Sequence, residues 1–379
     1  MKTITVVGAS LAGLSAAREL RAQGFDGRLV IVGEEPHQPY DRPPLSKDFL
    51  LGRAEEADLA LTDAAERCSL EAEWLLGVHA SGLDLAAGEV VLDNGTVRTD
   101  GVVIATGARP RMLAGQGNLN GVHTLRTIED ALALRADLDR AERVVVVGAG
   151  FIGAEVASTC AARGLDVTVL EAAPKPLPGL GDEIASACAA LHTDHGVRLL
   201  CGTGVVGLSG DHRVREVLLS DGSAVEADVV VVGVGVIPTT SWLQDSGVAL
   251  GNGVLCDPGC RAGLPNVVAV GDVASVAGHR VEHWTNATRQ PRVAVRNLLA
   301  GSLVESCAEV PYFWSDQYGV RIQFAGRVLP TDKVEVVEGS VEDSSFVALW
   351  RRENLDVGVF AFNHTKTFTR LRRTLPRAA

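Results

Sequence analysis

Apolar residues along this chain gather in short unbroken runs, set between glycine turns and alanine-rich stretches. Residues 4–34, ITVVGASLAGLSAARELRAQGFDGRLVIVGE, open on a β-branched run and turn at a glycine. They continue through an alanine-rich stretch and return to a second apolar run that ends in an acid. Residues 144–171, VVVVGAGFIGAEVASTCAARGLDVTVLE, repeat that order more strictly. Apolar runs without alternation suit parallel strands buried on both faces, and the alanine-rich stretch suits a helix packed across them. Each segment therefore predicts a strand–helix–strand unit of the mononucleotide-binding kind, and two copies predict two dinucleotide sites.

The remaining pattern organises the chain around these units. Residues 89–107, EVVLDNGTVRTDGVVIATG, read as a hairpin turning at Asn94-Gly95 and a closing strand. Residues 216–235, EVLLSDGSAVEADVVVVGVG, repeat that phrase with Asp221-Gly222 as the turn. The internal repeat predicts two domains of related fold. NVVAVGDVAS, from 266, adds a buried strand ending in Gly271-Asp272. In PHQPYDRPPLSKDFL (36–50) Pro43-Pro44 stiffens the backbone, and LSKDFL is expected to begin a helix. From about 306 the character changes. Four aromatics fall within YFWSDQYGV, alternating runs follow (VRIQFAG, KVEVVEG, SFVALWRR, VGVFAFN), and a basic helix, TKTFTRLRRTL, comes last. The expected fold class is α/β, with two Rossmann-like dinucleotide-binding domains and a C-terminal α+β domain. The expected boundaries are 1–110 with 236–305 for a discontinuous FAD domain, 111–235 for an NAD domain, and 306–379 for the third.

Composition narrows the function. A formal net charge of -12 argues against nucleic acid, and an acidic protein partner would be repelled unless a local basic patch exists. No apolar run reaches the roughly 18 residues of a membrane helix. The chain enters a strand at once, with no cationic leader or cleavage site, so a soluble, cytoplasmic protein is expected. The seven cysteines (68, 160, 188, 201, 256, 260 and 307) have no disulfide-scaffold spacing. Cys256 and Cys260 lack two further zinc ligands at a matching spacing, so reduced structural thiols and no metal site are expected.

The second glycine motif is complete: Gly148-x-Gly150-x-x-Gly153. Gly148 allows the tight turn, Gly150 lets the backbone approach a pyrophosphate, and Gly153 permits close helix–strand packing. The helix N-terminus then offers free N–H groups and its positive dipole end. Glu171 ends the second strand, placed to accept from both ribose hydroxyls. It would repel a 2′-phosphate, and Ala172 and Ala173 supply no arginine to hold one, which favours NAD over NADP. The first motif is looser, Gly8-x-Ser10-x-x-Gly13, with a serine that can donate to the pyrophosphate, Ala12 at the helix start, and Glu34 preferred over Glu35 as the acid. This order of units is expected where FAD binds first and a nicotinamide cofactor second.

With these motifs in hand, the sequence resembles the NADH-dependent, FAD-containing ferredoxin reductases of bacterial oxygenase systems. That group includes the putidaredoxin, rhodocoxin and biphenyl-dioxygenase ferredoxin reductases, within the glutathione-reductase structural class. The resemblance covers essentially the whole chain. It rests on GASLAG (8–13), YDRPPLSK (40–47), ATGARPR (105–111), GAGFIGAEVA (148–157), VGVGVIP (232–238), AVGDVA (269–274), EHWTNA (282–287) and YFWSDQYG (312–319). Of these, RPPLSK and FWSDQ are the most specific to the group.

The resemblance implies that Gly8, Ser10, Ala12, Gly13, Glu34, Arg42, Lys47, Val78, Arg126, Asp272, Trp284 and Trp314 surround FAD. Within that set Asp272 would accept from a ribitol hydroxyl, and Trp284 would give a backbone N–H to the flavin pyrimidine end. It implies that Gly148, Gly150, Ile152, Gly153, Glu155, Glu171 and Gly235 line the NAD site. Lys47 and Glu155 would form an ion pair beside the flavin's hydride-accepting nitrogen and act as the catalytic groups. Plainer readings stand beside these: Lys47 as a surface lysine at a helix start, Trp314 and Phe313 as core of the third domain, Asp272 as a strand-end cap. His37 and His283 read as bystanders. Two departures concern the flavin's pyrimidine end. Pro291 stands where the family usually has glycine, in a helix expected to begin near Asn286, and the segment from Asp272 to Glu282 is short.

Disulfide reductases of this class carry redox cysteines after the first unit, but RPPLSK has none. Electrons would therefore pass from the flavin directly to an external acceptor, a ferredoxin-type iron–sulfur protein, one at a time. Such ferredoxins are generally acidic. Arg289, Arg292, Arg296, Arg370, Arg372 and Arg373 are candidate docking groups, with a solvated basic face as the plainer reading. Alternatives are a same-fold reductase of a quinone or monodehydroascorbate, and an NADH-responsive redox-sensing flavoprotein. The sequence leaves monomer and homodimer both open.

Overall fold

The computed structural model describes residues 1–113, 117 and 119–377. The N-terminal unit is strand β1 (Thr3–Val7), helix α1 (Leu11–Ala22) and strand β2 (Arg28–Gly33). β1 pairs in parallel with β2, Thr3 opposite Arg28 and Val7 opposite Val32, and on its other side with Gly101–Ile104. Ala72–Leu76 and Val267–Ala269 complete a five-stranded parallel sheet. Its central residues, among them Ile4, Val6 and Val103, are fully buried, which is why the apolar runs do not alternate.

The second unit repeats this geometry with strand β3 (Arg143–Val147), helix α2 (Phe151–Ala162) and strand β4 (Asp166–Glu171). Its sheet adds Arg198–Cys201, Val229–Val232 and Val122–His123, again all parallel. The glycine turns superimpose in their hydrogen bonds. The Gly8 N–H donates to the Val32 carbonyl and the Gly148 N–H to the Leu170 carbonyl, each at 2.7 Å. The chain crosses between the two sheets twice, and the crossings lie side by side as an antiparallel pair, Ala108–Pro110 with Val236–Pro238.

Both antiparallel ribbons are present, with one change. In the first, Leu92 pairs with Gly95, so Asp93 and Asn94 make the turn and Gly95 (φ 148°) starts the next strand. The positive-φ glycine therefore resumes pairing instead of sitting at the turn's tip. In the second, Asp221-Gly222 lies in the turn as expected. The segment LSKDFL does not begin a helix. Pro43–Ser46 form a single 3-10 turn followed by further turns. The paired prolines fit a helix start, but the backbone departs at Lys47 (φ -124°, ψ -109°).

Helix α3 (Asp182–Asp194) of the second unit and helix α4 (Trp284–Ala300) both reach the C-terminal region. That region is a five-stranded antiparallel sheet whose first strand is β5 (Tyr312–Gln317), closed by helix α5 (Thr365–Arg372). Ile184 and Leu191 of α3 pack on one face with Phe346, Phe360 and Phe362, and Phe368 of α5 packs on the other with Ala325, Val347 and Val359. α4 begins at Trp284, two residues earlier than expected, and runs unbroken through Pro291. The short segment before it is a tight hairpin, Ala274–Val276 against His279–Arg280, with Ala277 and Gly278 at positive φ.

One buried group couples this packing to pH. His192 on α3 is 1 % exposed, and its Nδ1 lies 2.8 Å from the Tyr318 hydroxyl. Burial, with His195 beside it, pulls its pKa down to about 4. The unfolded imidazole protonates near 6.5, so on acidification the unfolded chain takes up the proton first. The stability carried by neutral His192 is therefore complete above about pH 6.5 and is lost as pH falls toward 4. We expect His192→Gln to flatten the fall in melting temperature across that window. A slope identical to the parent protein's would assign the acid sensitivity elsewhere.

Candidate active site

The two glycine turns show what their residues are for. Gly8 sits at φ 116°, and a Cβ there would fall 2.1 Å from the Ala105 carbonyl oxygen, so only glycine fits. Gly148 repeats this at φ 103° against Gly233. Gly13 and Gly153 lie tight against the turns that precede them, which lets α1 and α2 approach their strands. Gly150 differs. A Cβ on it would meet nothing within 4 Å, so its bare backbone faces open space at the helix N-terminus. The N-cap residues Ser10 and Gly150 make no side-chain cap, which leaves first-turn N–H groups for an anion. Ala12 is buried within the first turn of α1, while Ile152 on α2 is half exposed beside the open turn. Gly235 (φ 92°) opens onto space at the chain crossing, and its carbonyl accepts from the Arg111 N–H.

Glu171 braces the second turn. Its Oε2 accepts from the Ala149 N–H at 2.9 Å and its Oε1 from the Ala173 N–H at 2.8 Å. The carboxylate is thereby aimed across the glycine loop, with remaining lone pairs for a ribose. In the first unit, register places Gly33 where Glu171 stands in the second, so Glu34 lies one residue beyond the strand. Its side chain is 73 % exposed, 3.7 Å from His79. Glu35 is engaged: it binds Arg42 at 2.6 Å and accepts from the Tyr40 hydroxyl. Of the two acids, Glu34 keeps its oxygens open. Arg42 also approaches Ser10 Oγ (3.4 Å) and donates to the Arg126 carbonyl. Arg126 in turn pairs with Asp272 at 2.9 Å. One polar chain thus links the first glycine turn to the strand end at Gly271-Asp272. Val78, just after Ala72–Leu76, is tied to Gly33 by its N–H and packs on the core beneath.

The two expected catalytic side chains meet across the domains. Lys47 Nζ lies 2.6 Å from Glu155 Oε2, and Glu155, one turn into α2, is 3 % exposed. Lys47 is therefore a partly buried ion-pair partner and not a free surface lysine. Two hydroxyls complete the carboxylate's shell: Ser46 Oγ donates to Oε2 at 2.5 Å and Ser315 Oγ to Oε1 at 2.7 Å. Gln317 Nε2 donates to Ser315 Oγ at 3.0 Å. A carboxylate this deep persists only when paired and hydrogen-bonded, and here three donors from two separate segments converge on it.

β5 walls this region with both of its faces. Phe313, Ser315 and Gln317 point toward α2, Phe313 packing 4.5 Å from Phe151 between ring centroids. Tyr312, Trp314 and Asp316 point the other way. There Trp314 stacks on Tyr312, meets Trp284 edge-on at 6.0 Å, and takes Arg321 over its ring. The Trp284 indole N–H donates to Asp41 at 2.8 Å, and its backbone N–H belongs to the open end of α4. The N-cap His283 packs against Phe313, with Nδ1 buried and unpartnered; burial pulls its pKa down to about 4. His37 contacts Glu129, away from this network.

The residues fit two dinucleotides: an open Gly150 cradle, two uncapped helix N-termini, and a buried imidazole nitrogen with no protein partner. The family model for pyridine nucleotide-disulphide oxidoreductases matches residues 2–291, and the model for the reductase C-terminal domain matches 312–379. The chain belongs to the pyridine nucleotide-disulphide oxidoreductase family. Among curated relatives, this oxidoreductase is 37% identical to rhodocoxin reductase of Rhodococcus erythropolis over 354 residues, covering 91% of this chain and 82% of the relative. It is 36% identical to the ferredoxin–NAD(+) reductase component of the biphenyl dioxygenase system of Paraburkholderia xenovorans, covering 97% and 91%. Among solved structures, the reductase in the covalent putidaredoxin reductase–putidaredoxin complex superimposes with a TM-score of 0.92 at 30% identity, covering 98% of this chain and 92% of that one. The resemblance, the fold class and the pairing of FAD with NADH stand on these matches.

Sequence reasoning missed Ser46, Ser315 and Asp41 in this oxidoreductase. Ser46 was within reach, since it precedes Lys47 in RPPLSK. Ser315 carried a signal only through strand alternation inside YFWSDQ, and its partner lies 160 residues away.

Proposed function

We propose that this oxidoreductase takes hydride from NADH onto FAD and delivers electrons singly to a ferredoxin-type iron–sulfur protein that serves an oxygenase. Bound FAD supplies the conversion between a two-electron donor and a one-electron acceptor. The observation that carries the reading is the buried Lys47–Glu155 pair, braced by Ser46 and Ser315, at the meeting of the two glycine-turn units. Lys47 holds positive charge there, and Glu155 fixes its position. With no cysteine in the RPPLSK segment, no thiol stands between this centre and the acceptor. The site residues are those set out above, Glu34 and Asp272 on the FAD side and Glu171 on the NAD side. NADH supply carries a cytoplasmic location with it; among the described residues no helix is long and apolar enough to cross a membrane.

The docking surface we propose lies around Tyr312. Arg372 of α5 sits 4.1 Å over the Tyr312 ring, and burial, with Arg289 of α4 close by, lowers its pKa. The two basic stripes thus converge beside Trp284 and Trp314. Arg289, Arg292 and Arg296 are already paired, with Glu309 and Glu305, and Arg370 with Glu338; Arg373 is exposed. Exposed pairs of this kind contribute only about 0–1 kcal/mol, so an acidic partner's carboxylates can replace them. Ferredoxin reduction driven by NADH is expected to slow roughly tenfold or more from low to high ionic strength, with flavin reduction by NADH barely changed. A ferredoxin rate indifferent to salt would remove this docking surface.

A further inference from the structure

Three cysteines gather at the far end of α4, outside the machinery described above. Cys256 ends the strand Gly253–Cys256, Cys260 lies in the turn after it, and Cys307 lies in the segment joining α4 to β5. Cys260 and Cys307 are 47 residues apart, yet their Sγ atoms are 3.4 Å apart. The approach is fixed from both sides. The Cys307 N–H donates to the Pro258 carbonyl at 2.8 Å, and the Cys260 N–H and carbonyl bond to Asp257 and Ala269. Asn297, fully buried on α4, donates to the Gly259 and Glu305 carbonyls and accepts from the Val304 and Glu305 N–H groups. Cys260 is also held at φ 65°, a left-handed conformation that a cysteine adopts only when its surroundings impose it.

The geometry points to Cys260 and Cys307 as a reversible dithiol–disulfide site, oxidised by a peroxide and reduced by a small thiol. Closing the bond requires the sulfurs to move from 3.4 Å to about 2.05 Å, within reach of side-chain rotation. The two thiols are unequal. Cys260 is fully buried and shares an S–H···S contact with Cys307, which holds the Cys307 thiol below its ordinary range and Cys260 well above it. Cys307 is partly exposed, so it is the sulfur a peroxide meets. Cys307 Sγ attacks one peroxide oxygen, the O–O bond breaks, and a water leaves, giving a sulfenic acid. The Cys260 thiol then attacks that sulfur. The S–S bond forms, the S–O bond breaks, and a second water leaves. Each sulfur gives up one electron, and the peroxide is reduced to two waters.

The test uses the FAD-loaded protein. After treatment with a slight excess of hydrogen peroxide, thiols titrated under denaturing conditions are expected to fall from seven to five. Non-reducing peptide mapping should find the peptides of Cys260 and Cys307 joined and lighter by two hydrogens. The melting temperature should rise by several degrees, because the bond closes a long loop in the unfolded chain, and dithiothreitol should reverse the rise. Cys307→Ser should abolish both the link and the rise. Oxidation confined to exposed Cys68, or Cys307 driven to sulfinic acid with Cys260 still free, would overturn the proposal. Both readouts come from the parent protein, so the outcome does not depend on how the variant folds.

Discussion

Replacing Lys47 by methionine is expected to slow bleaching of the flavin by NADH by about 10²–10³-fold. It should also lower global stability by about 3–5 kcal/mol. The two effects share one origin. Glu155 is 3 % exposed, and its carboxylate is satisfied by one ammonium and two hydroxyls. Without the ammonium, the charge stays in a low-dielectric site held only by Ser46 and Ser315. The rate falls because positive charge is missing where negative charge arrives. The two effects separate in the double variant Lys47→Met with Glu155→Gln. An amide keeps an oxygen for both serines and carries no charge, so most of the lost stability should return while the slow bleaching remains. Stopped-flow absorbance and denaturant melts on the same preparations measure both. A Lys47→Met protein that bleaches at the parent rate would remove the pair from the chemistry.

Glu171→Ala is expected to narrow the preference for NADH over NADPH from both directions. The parent carboxylate accepts two backbone N–H groups and has lone pairs left that would accept from a ribose, and hydrogen bonds to a charged group contribute about 1.5–3 kcal/mol. Its removal should raise KM for NADH by roughly 10- to 100-fold with little change in kcat, the signature of binding lost equally in ground and transition states. NADPH should improve, because the repulsion of its 2′-phosphate disappears. Steady-state kinetics with both nucleotides checks this. An unchanged ratio of the two kcat/KM values would mean that the acid only braces its loop.

The parallel cores were legible because burial on both faces removes alternation, and the two glycine turns because few side chains tolerate their backbone. Gly8, Gly13, Gly148, Gly153 and Glu171 could be read from one segment each. The meeting of Lys47 with Glu155 could not, since 108 residues separate them and only the family resemblance implied it. The local errors have local causes. The Pro43-Pro44 pair favours a helical turn, but the chain bends away at Lys47 to place its ammonium. Asn94-Gly95 has the chemistry of a hairpin tip, yet pairing of Leu92 with Gly95 moves the tip one residue back. Pro291 is tolerated because a helix already anchored at both ends, by Trp284 on Asp41 and by Asn297, loses one bond without losing its course.

β5 leaves little room for any change of length. Its odd-numbered residues brace the buried carboxylate through Ser315, and its even-numbered ones carry Tyr312 and Trp314 to the outer ledge. Because side chains alternate strictly, inserting or deleting one residue between Tyr312 and Gln317 would turn the tryptophan inward and the serine out. Both the brace on Glu155 and the outer aromatic contacts of Trp314 would be lost in a single step. This strand can diverge only by substitution, and its hairpin tip is held as well, since the Tyr318 N–H donates to Ser158 and the Tyr318 hydroxyl meets His192. A change of partner at the proposed docking face would thus have to be made by changing side chains on one face of a strand of fixed length.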